Sequence, residues 1–393
     1  IALAWKISEE RFLKDKNVIS NLKLRGSWGA TGSQAIDPYV TLNQLFSGKT
    51  VFNDGLYNTF SPGTTLPGEL KWETTEQMNI GLDLGIKNNL FNFTIDYYTK
   101  NTKDLLNTVL LPSSIGFKQT VQNIGKVQNK GLEFGLDAKI FTGAFQWDIN
   151  SNISFNKNRV VKLSNGEDIL GGYVSVVALQ DNTNILREGR PIGQFWGYME
   201  DGYTSNGQIK YKDLEPDGKL TIEDKTYIGD PNPDFIFGLN SNISYKNFDL
   251  NIFLQGTYGN DLFNLSAVSY SLDYVSGMNM IRDVLKNSWT INNTNAKYPI
   301  ISRNTSVNVS DRFVEDGSYL RLKNIQLAYN LPLTKTVVRN NLQSLQIYLS
   351  GQNILTLTRY SGWDPEVNSE SFGIDNKTYP NSKSFTIGVR VRF

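Results

Sequence analysis

The chain has 393 residues, with 39 Lys plus Arg against 38 Asp plus Glu, and it contains neither His nor Cys. Those absences remove thiolate chemistry, disulfides, Ser-His-Asp triads and nearly every zinc site, and a net charge of +1 argues against nucleic acid as the main partner. Apolar residues at 39% and aromatics at 12%, in a chain rich in Gly and Asn, point to many strands joined by polar turns rather than to helices.

No run approaches the ~18–20 apolar residues of a membrane helix; the longest falls near Val174 to Leu179. A mean hydropathy of −0.35 leaves open a membrane wall made of strands, because there only every second residue must be apolar. The chain starts at Ile1 without an initiator Met or a signal peptide, and is read as a mature or internal piece of a longer polypeptide.

In chain order, a first strand is expected near Ile1 to Trp5, then a short connection over residues 8–19 with about one helical turn. Strict alternation follows. Met78, Ile80, Leu82, Leu84 and Ile86 share one face, opposite Gln77, Asn79, Gly81, Asp83, Gly85 and Lys87. The pattern returns in Phe91, Phe93, Ile95 and Tyr97; in Leu132, Phe134, Leu136, Ala138 and Ile140; and in Phe145, Trp147, Ile149, Ile153 and Phe155. It recurs in Phe235, Phe237, Leu239, Ile243 and Tyr245; in Phe248, Leu250, Ile252 and Leu254; and in Phe385, Ile387, Val389, Val391 and Phe393 at the end. Each strand has one apolar and one polar side.

A soluble sandwich shows the same alternation. Two features favour an outer-membrane wall. Ten residues at ~3.3 Å, tilted ~40°, span roughly the 25 Å apolar band of such a wall, whereas sandwich strands average about five or six residues. The connections also alternate. Residues 30–73, 101–125, 159–232, 260–318 and 353–382 are long, while Lys87-Asn88-Asn89, Phe141-Thr142-Gly143-Ala144 and Lys246-Asn247 are tight and 331–342 is fairly short. Short periplasmic turns and long external loops are the asymmetry of outer-membrane barrels. The predicted fold is therefore all-β: an antiparallel transmembrane barrel with about 11 strands in this chain. An odd number does not close alone, so the chain is expected to supply about half of a ~22-stranded wall, with the rest in a partner chain or an upstream segment. Tyr97, Tyr98, Trp147, Tyr245 and Trp28 are candidates for the aromatic girdles at the lipid–water boundary.

Several segments together carry a family resemblance: LRGSWGATG (24–32), LKWETTEQMNIGLD (70–83), NIGKVQNKGLEFGLD (123–137), REGRPIGQFWGYMEDGY (187–203), IGDPNPDFIFG (228–238), DGSYLRLKNIQLAYNLP (316–332) and GQNILTLTRYSGWDPEV (351–367). The chain resembles the C-terminal half of a SusC/RagA-type TonB-dependent outer-membrane transporter over nearly its whole length. The resemblance implies a Gram-negative outer-membrane importer of oligosaccharides or peptides. Such a protein is not an enzyme, is capped by a SusD-like surface lipoprotein and is driven by TonB. It implies further that the TonB box, the plug and an N-terminal extension lie upstream of Ile1. The alternatives are a passive porin or structural barrel, and a soluble carbohydrate-binding β-sandwich.

One segment has metal-ligand spacing. DLEPDGKLTIED places Asp213, Glu215, Asp217 and Asp224 at positions 1, 3, 5 and 12 of a calcium loop, with Gly218 at 6 and the Lys219 carbonyl at 7. Pro216 at position 4 and Asp rather than Glu at 12 depart from the pattern. The two readings are a structural Ca2+ (or Mg2+) site and a polar turn shaped by Asp-Gly. No other cofactor is expected. The acidic pairs Glu200/Asp201 and Glu223/Asp224 read as solvated charges rather than as an acid/base pair. Aromatics in the expected external segments are Tyr39, Phe46, Phe52, Tyr57, Trp196, Tyr198, Tyr270, Tyr274, Trp289, Tyr298, Trp363 and Tyr379. Their faces suit stacking on sugar rings or peptide side chains, or packing of the loops. Sequence alone does not assign which of them touch cargo.

Overall fold

In the computed structural model, eleven strands form one antiparallel sheet in which each strand pairs with its neighbours in chain order. Numbered along the wall they are β1 (Ala2–Lys6), β2 (Ile19–Ser33), β3 (Glu73–Ile86), β4 (Phe91–Lys103), β5 (Lys126–Thr142), β6 (Phe145–Lys162), β7 (Phe235–Tyr245), β8 (Phe248–Tyr258), β9 (Tyr319–Asn330), β10 (Ser344–Thr358) and β11 (Ser384–Arg392). The structure describes every residue except 14–17, 34–38, 40, 43, 112, 124, 164–165, 278, 306, 334–341 and 368–371. The strand count matches the alternation pattern. Among the described residues β1 and β11 stand at opposite edges, unpaired with one another, so the sheet is open.

At one end the connections are tight. Lys87, Asn88 and Asn89 take left-handed backbone at φ 51°, 55° and 61°, and Lys246 does so at φ 54°. Asn tolerates that region, and the resulting twist matches the flanking strands. The connection after β9 falls largely outside the described residues. At the other end the connections span residues 34–72, 104–125, 163–234, 259–318 and 359–383.

The apolar face of the wall is uncovered. Leu349 is 52% exposed and Ile387 79%, and Ile80, Leu132, Ile347, Leu355 and Leu357 are likewise exposed. No second sheet meets these stripes among the described residues, which overturns the soluble-sandwich alternative. Trp28, Tyr97, Trp147 and Tyr245 belong to this face. Tyr98 does not. As the neighbour of Tyr97 it points to the other side, lies across Gly131 and donates to Asn156 at 2.8 Å. The side-chain period of two forbids both tyrosines from facing lipid.

The opposite face is polar and hydrogen-bonded across strands. Ser244 donates to Asp249 (2.7 Å), which also accepts from Asn330 (2.6 Å). Gln346 donates to Asn330 (2.9 Å), and Arg390 to Gln346 (3.0 Å), so the relay crosses β7 to β11. Arg25 on β2 binds Asp83 on β3 at 2.8 Å and Asp96 on β4 at 3.0 Å. Gly81 lies between them; a Cβ there would come within 2.4 Å of the Asp96 carboxylate and block the crossing.

Above the wall, three of the long connections fold together instead of forming separate loops. A four-stranded sheet (Ile169–Val176, Leu179–Leu186, Gln194–Gly197, Thr226–Gly229) and two short helices, α1 (Leu265–Ser271) and α2 (Arg282–Asn287), surround one core. Phe195, Phe263, Leu265, Val268, Val309 and Phe313 are sealed in it. The Val174 to Leu179 run ends here: both terminal residues are buried in this core. The connection at 34–72 instead carries an exposed hairpin, Leu45–Phe52 with Gly55–Pro62.

Candidate functional site

Backbone hydrogen bonds lock the three connections together. Phe263 donates to Gly373 and Asp375 donates to Phe263, both at 2.9 Å, while Tyr198 donates to Val309 at 2.8 Å. Asn264 caps α1 by accepting from the Ala267 N–H at 2.9 Å, and its amide donates to Glu315 at 2.9 Å. These contacts shape a cleft of about 660 Å3 lined by Tyr270, Tyr298, Trp363, Asp283, Arg312 and Glu315, among others.

Both signs of charge are fixed in the cleft by partners. Arg312 pairs with Glu200 and donates to the Tyr203 hydroxyl at 2.8 Å and to the Lys297 carbonyl at 2.8 Å. Burial is the largest single influence and works against its charge, but the hydrogen bond and charge of Glu200 together with Tyr203 outweigh it and raise the guanidinium above its ordinary value. Asp283 accepts from Lys297 (3.1 Å), Tyr298 (3.0 Å) and Asn287 (2.6 Å), and the Lys297 bond leads in holding its carboxyl below the usual range. Burial raises the phenols of Tyr270 and Tyr298, and pushes Tyr274, which packs against the core of the layer, up to about 12. The tyrosines therefore stay protonated donors. Aromatic faces beside fixed, paired charges suit binding of a polar polymer by stacking and hydrogen bonding.

Of the aromatics singled out from sequence, the cleft gathers Tyr270, Tyr298 and Trp363. Others pack. Trp196 stands edge-on to Tyr227 at 5.1 Å with the Arg187 guanidinium 4.7 Å above its ring, Tyr198 is buried, and Trp289 lies against Gly207. Phe46, Phe52 and Tyr57 lie on the exposed hairpin, and Tyr39 and Tyr379 are exposed singly.

The five residues assigned to a cation occupy one turn but are not gathered on one point. Asp213 accepts from the Gly218 N–H (2.9 Å), and Asp217 from the Lys219 N–H (2.8 Å). Asp224, fully buried, accepts from Thr221 (2.7 Å), Leu214 (2.7 Å) and Glu215 (3.1 Å), and these backbone donors hold its carboxyl below the usual range. The short Asp at the last position turns into this nest of amides. Among the described residues no three acidic side chains cluster as ion ligands. The turn, including Glu215, is closed by its own backbone. The acidic pairs also diverge: Glu200 goes to Arg312, Asp201 to Lys210.

Sequence reasoning missed a buried charge cluster at the junction of layer and wall. Arg321 on β9 is 2% exposed. It pairs with Asp364, reaches Glu366 at 2.6 Å and donates to Thr356 at 3.0 Å. Asp364 accepts further from the Asn381 N–H at 2.8 Å. The cluster fastens residues 359–383 to the wall. Arg321 and Asp364 both lie within motif segments quoted above, but 43 residues apart.

A sheet with its apolar face open persists only in lipid, and its polar reverse only beside water. That class is the outer-membrane β-barrel, of which this chain forms part of the wall. The chain belongs to the TonB-dependent receptor β-barrel family: the family model described as "TonB dependent receptor-like, beta-barrel" matches residues 1–354. It is 37% identical to TonB-dependent receptor P3 of Formosa agariphila and 35% identical to TonB-dependent receptor SusC of Bacteroides thetaiotaomicron, each over 100% of this chain but 41% and 40% of the relative. The structure of the RagAB peptide transporter superposes with a TM-score of 0.83 at 25% identity, over 99% of this chain and 42% of that one. The chain thus spans about two fifths of the proteins it matches. Its family resides in the outer membrane of Gram-negative bacteria.

Proposed function

We propose that the protein containing this chain is a TonB-dependent importer of the SusC/RagA type, taking up oligosaccharides or peptides together with a SusD-like surface lipoprotein. One observation carries this reading: three long connections fold on a single core at one end of a polar-lined wall and hold an aromatic, charge-paired cleft there. In this reading the long-connection end faces outward and the tight turns face the periplasm. The remaining strands and a plug complete the barrel, and TonB acts through the plug.

The test is uptake of labelled oligosaccharides and oligopeptides by cells carrying the full-length protein, with and without TonB. Uptake of one class that vanishes without TonB is the expected result, and persistence without TonB would establish the porin alternative instead. Orientation is read separately, since these residues contain no Cys. Tyr379→Cys should react with an impermeant maleimide on intact cells, and Asn88→Cys only after lysis. The reverse pattern overturns the orientation.

A further inference from the structure

The apolar face of the wall is not flat at its long-connection end. Between β7 and β10 it folds into a groove of about 890 Å3 whose sides are Phe235, Phe237, Leu254, Leu320 and Leu357. Register places Phe237, Leu320 and Leu357 in one row across the strands, so the groove is continuous with the lipid-facing surface. Tyr258 stacks on Phe235 at 5.2 Å beside it, as aromatics do at a membrane boundary.

The rim is polar on the side of the long connections. Arg359 follows Leu355 and Leu357 on the same alternating face, is exposed, and has no carboxylate within ion-pair distance among the described residues. Asp316, also on the rim, is turned back to accept from the Ser318 N–H at 2.9 Å. An apolar trough ending in a cation that has no counter-ion among the described residues has the dimensions and charge order of a lipid: hydrocarbon below, anion at the boundary.

We propose that this groove seats an acyl chain of a phosphate-bearing lipid whose headgroup is held by Arg359. The site follows from the wall itself. Only the leaflet that supplies the lipid, the outer one, rests on the orientation proposed above. A neutral lipid fits the trough but not the rim, and a protein segment fits neither the single cation nor the continuity with the bilayer face.

The experiment uses the full-length transporter in nanodiscs made of phosphatidylcholine alone or of equal parts phosphatidylcholine and phosphatidylglycerol, followed by native mass spectrometry of retained lipid. The wild-type protein is expected to keep phosphatidylglycerol in preference to phosphatidylcholine. Arg359→Glu should lower that retention by about fivefold or more, the effect of one basic side chain at a charged interface. Leu254→Trp, which fills the groove, should lower retention of both lipids, and Lys87→Glu at the tight-turn end should change neither. Heat-modifiable migration on gels verifies that each variant still folds. Equal retention by wild type and Arg359→Glu, or retention blind to the headgroup, overturns the proposal. Reversed maleimide labelling would move the lipid to the other leaflet without touching this result.

Discussion

In the wall, Leu349 and Ile387 lie open with nothing packed on them; in the layer above, Phe263 and Val268 are 0% exposed. Both regions draw on the same kinds of side chain, and the solvent each meets sets the difference. The wall leaves its apolar stripe to hydrocarbon and is held by its ladder, because each unpaired backbone group in lipid costs several kcal/mol. The layer stands in water and is held by a core, where burying a large side chain contributes ~1.5–3 kcal/mol. The first region can thus be cut through its apolar face with little loss, and the second cannot.

Phe263→Ala should break the layer most severely. Its ring lies 6.0 Å from that of Phe195 and 5.9 Å from that of Phe313, and emptying such a site costs about 3–5 kcal/mol. Hydrogen exchange should speed across residues 163–234, 259–318 and 359–383 while β2 to β6 keep their protection. Equal acceleration in the wall would mean that the two regions are one cooperative unit. Arg321→Met tests the seam between them. It leaves Asp364 buried without its counter-charge, at about 3–5 kcal/mol, and proteases should then cut within residues 359–383 first.

The same seam should respond to acid. Burial alone would raise Asp364, but Arg321 and the amides of Glu366 and Asn381 prevail and hold its carboxyl below the ordinary value. A depressed folded value means stability that is present at neutral pH and lost as pH falls from the unfolded value through the folded one. Protease access to residues 359–383 is therefore expected to rise below about pH 4 in the wild type. Access that is flat with pH would detach Asp364 from the fastening.

What could be read from the sequence divides along the same line. Met78 to Ile86 and Phe385 to Phe393 announce strands because their pattern is local and repeats every two residues. The tight turns announce themselves through Asn88, Asn89 and Asn247. The layer has no such period. Phe195, Phe263, Phe313 and Ile374 come from three connections and meet only in space. Tyr270, Tyr298 and Trp363 were visible as aromatics, but the charges that frame them, Asp283, Arg312 and Glu315, had no local signal. The turn at 213–224 is the opposite case. Its spacing is local and legible, but backbone amides within the turn can claim the same carboxylates as a cation.

A charge placed on the wall sharpens the contrast from the other side. Leu349 pairs with Leu327 and Ile387 in the middle of β9 to β11, on the uncovered face. Leu349→Arg should cost about 2–4 kcal/mol, the penalty for a cation near the mid-plane of a lipid-facing strand. The check is refolding of the full-length protein into vesicles, scored by heat-modifiable migration. In a water-facing sheet the same exposed position would accept Arg within about 0.5 kcal/mol, so tolerance would undo the assignment of that face to lipid.

The smallest expected effect is the one that bears on the proposed function. Trp363 is 78% exposed at the mouth of the cleft, so Trp363→Ala should leave stability within about 0.5 kcal/mol of wild type. An aromatic face that stacks on cargo contributes about 0.5–1.5 kcal/mol, so binding should weaken by roughly twofold to tenfold. Trp289, pressed against Gly207 within the layer, provides the contrast: its removal should lower stability first, and binding only as a consequence. Measuring cargo affinity and thermal unfolding for both variants separates the two kinds of aromatic. If Trp363→Ala shifts unfolding and leaves affinity untouched, its ring belongs to the packing of the layer, and the proposed part of this ring in cargo binding falls.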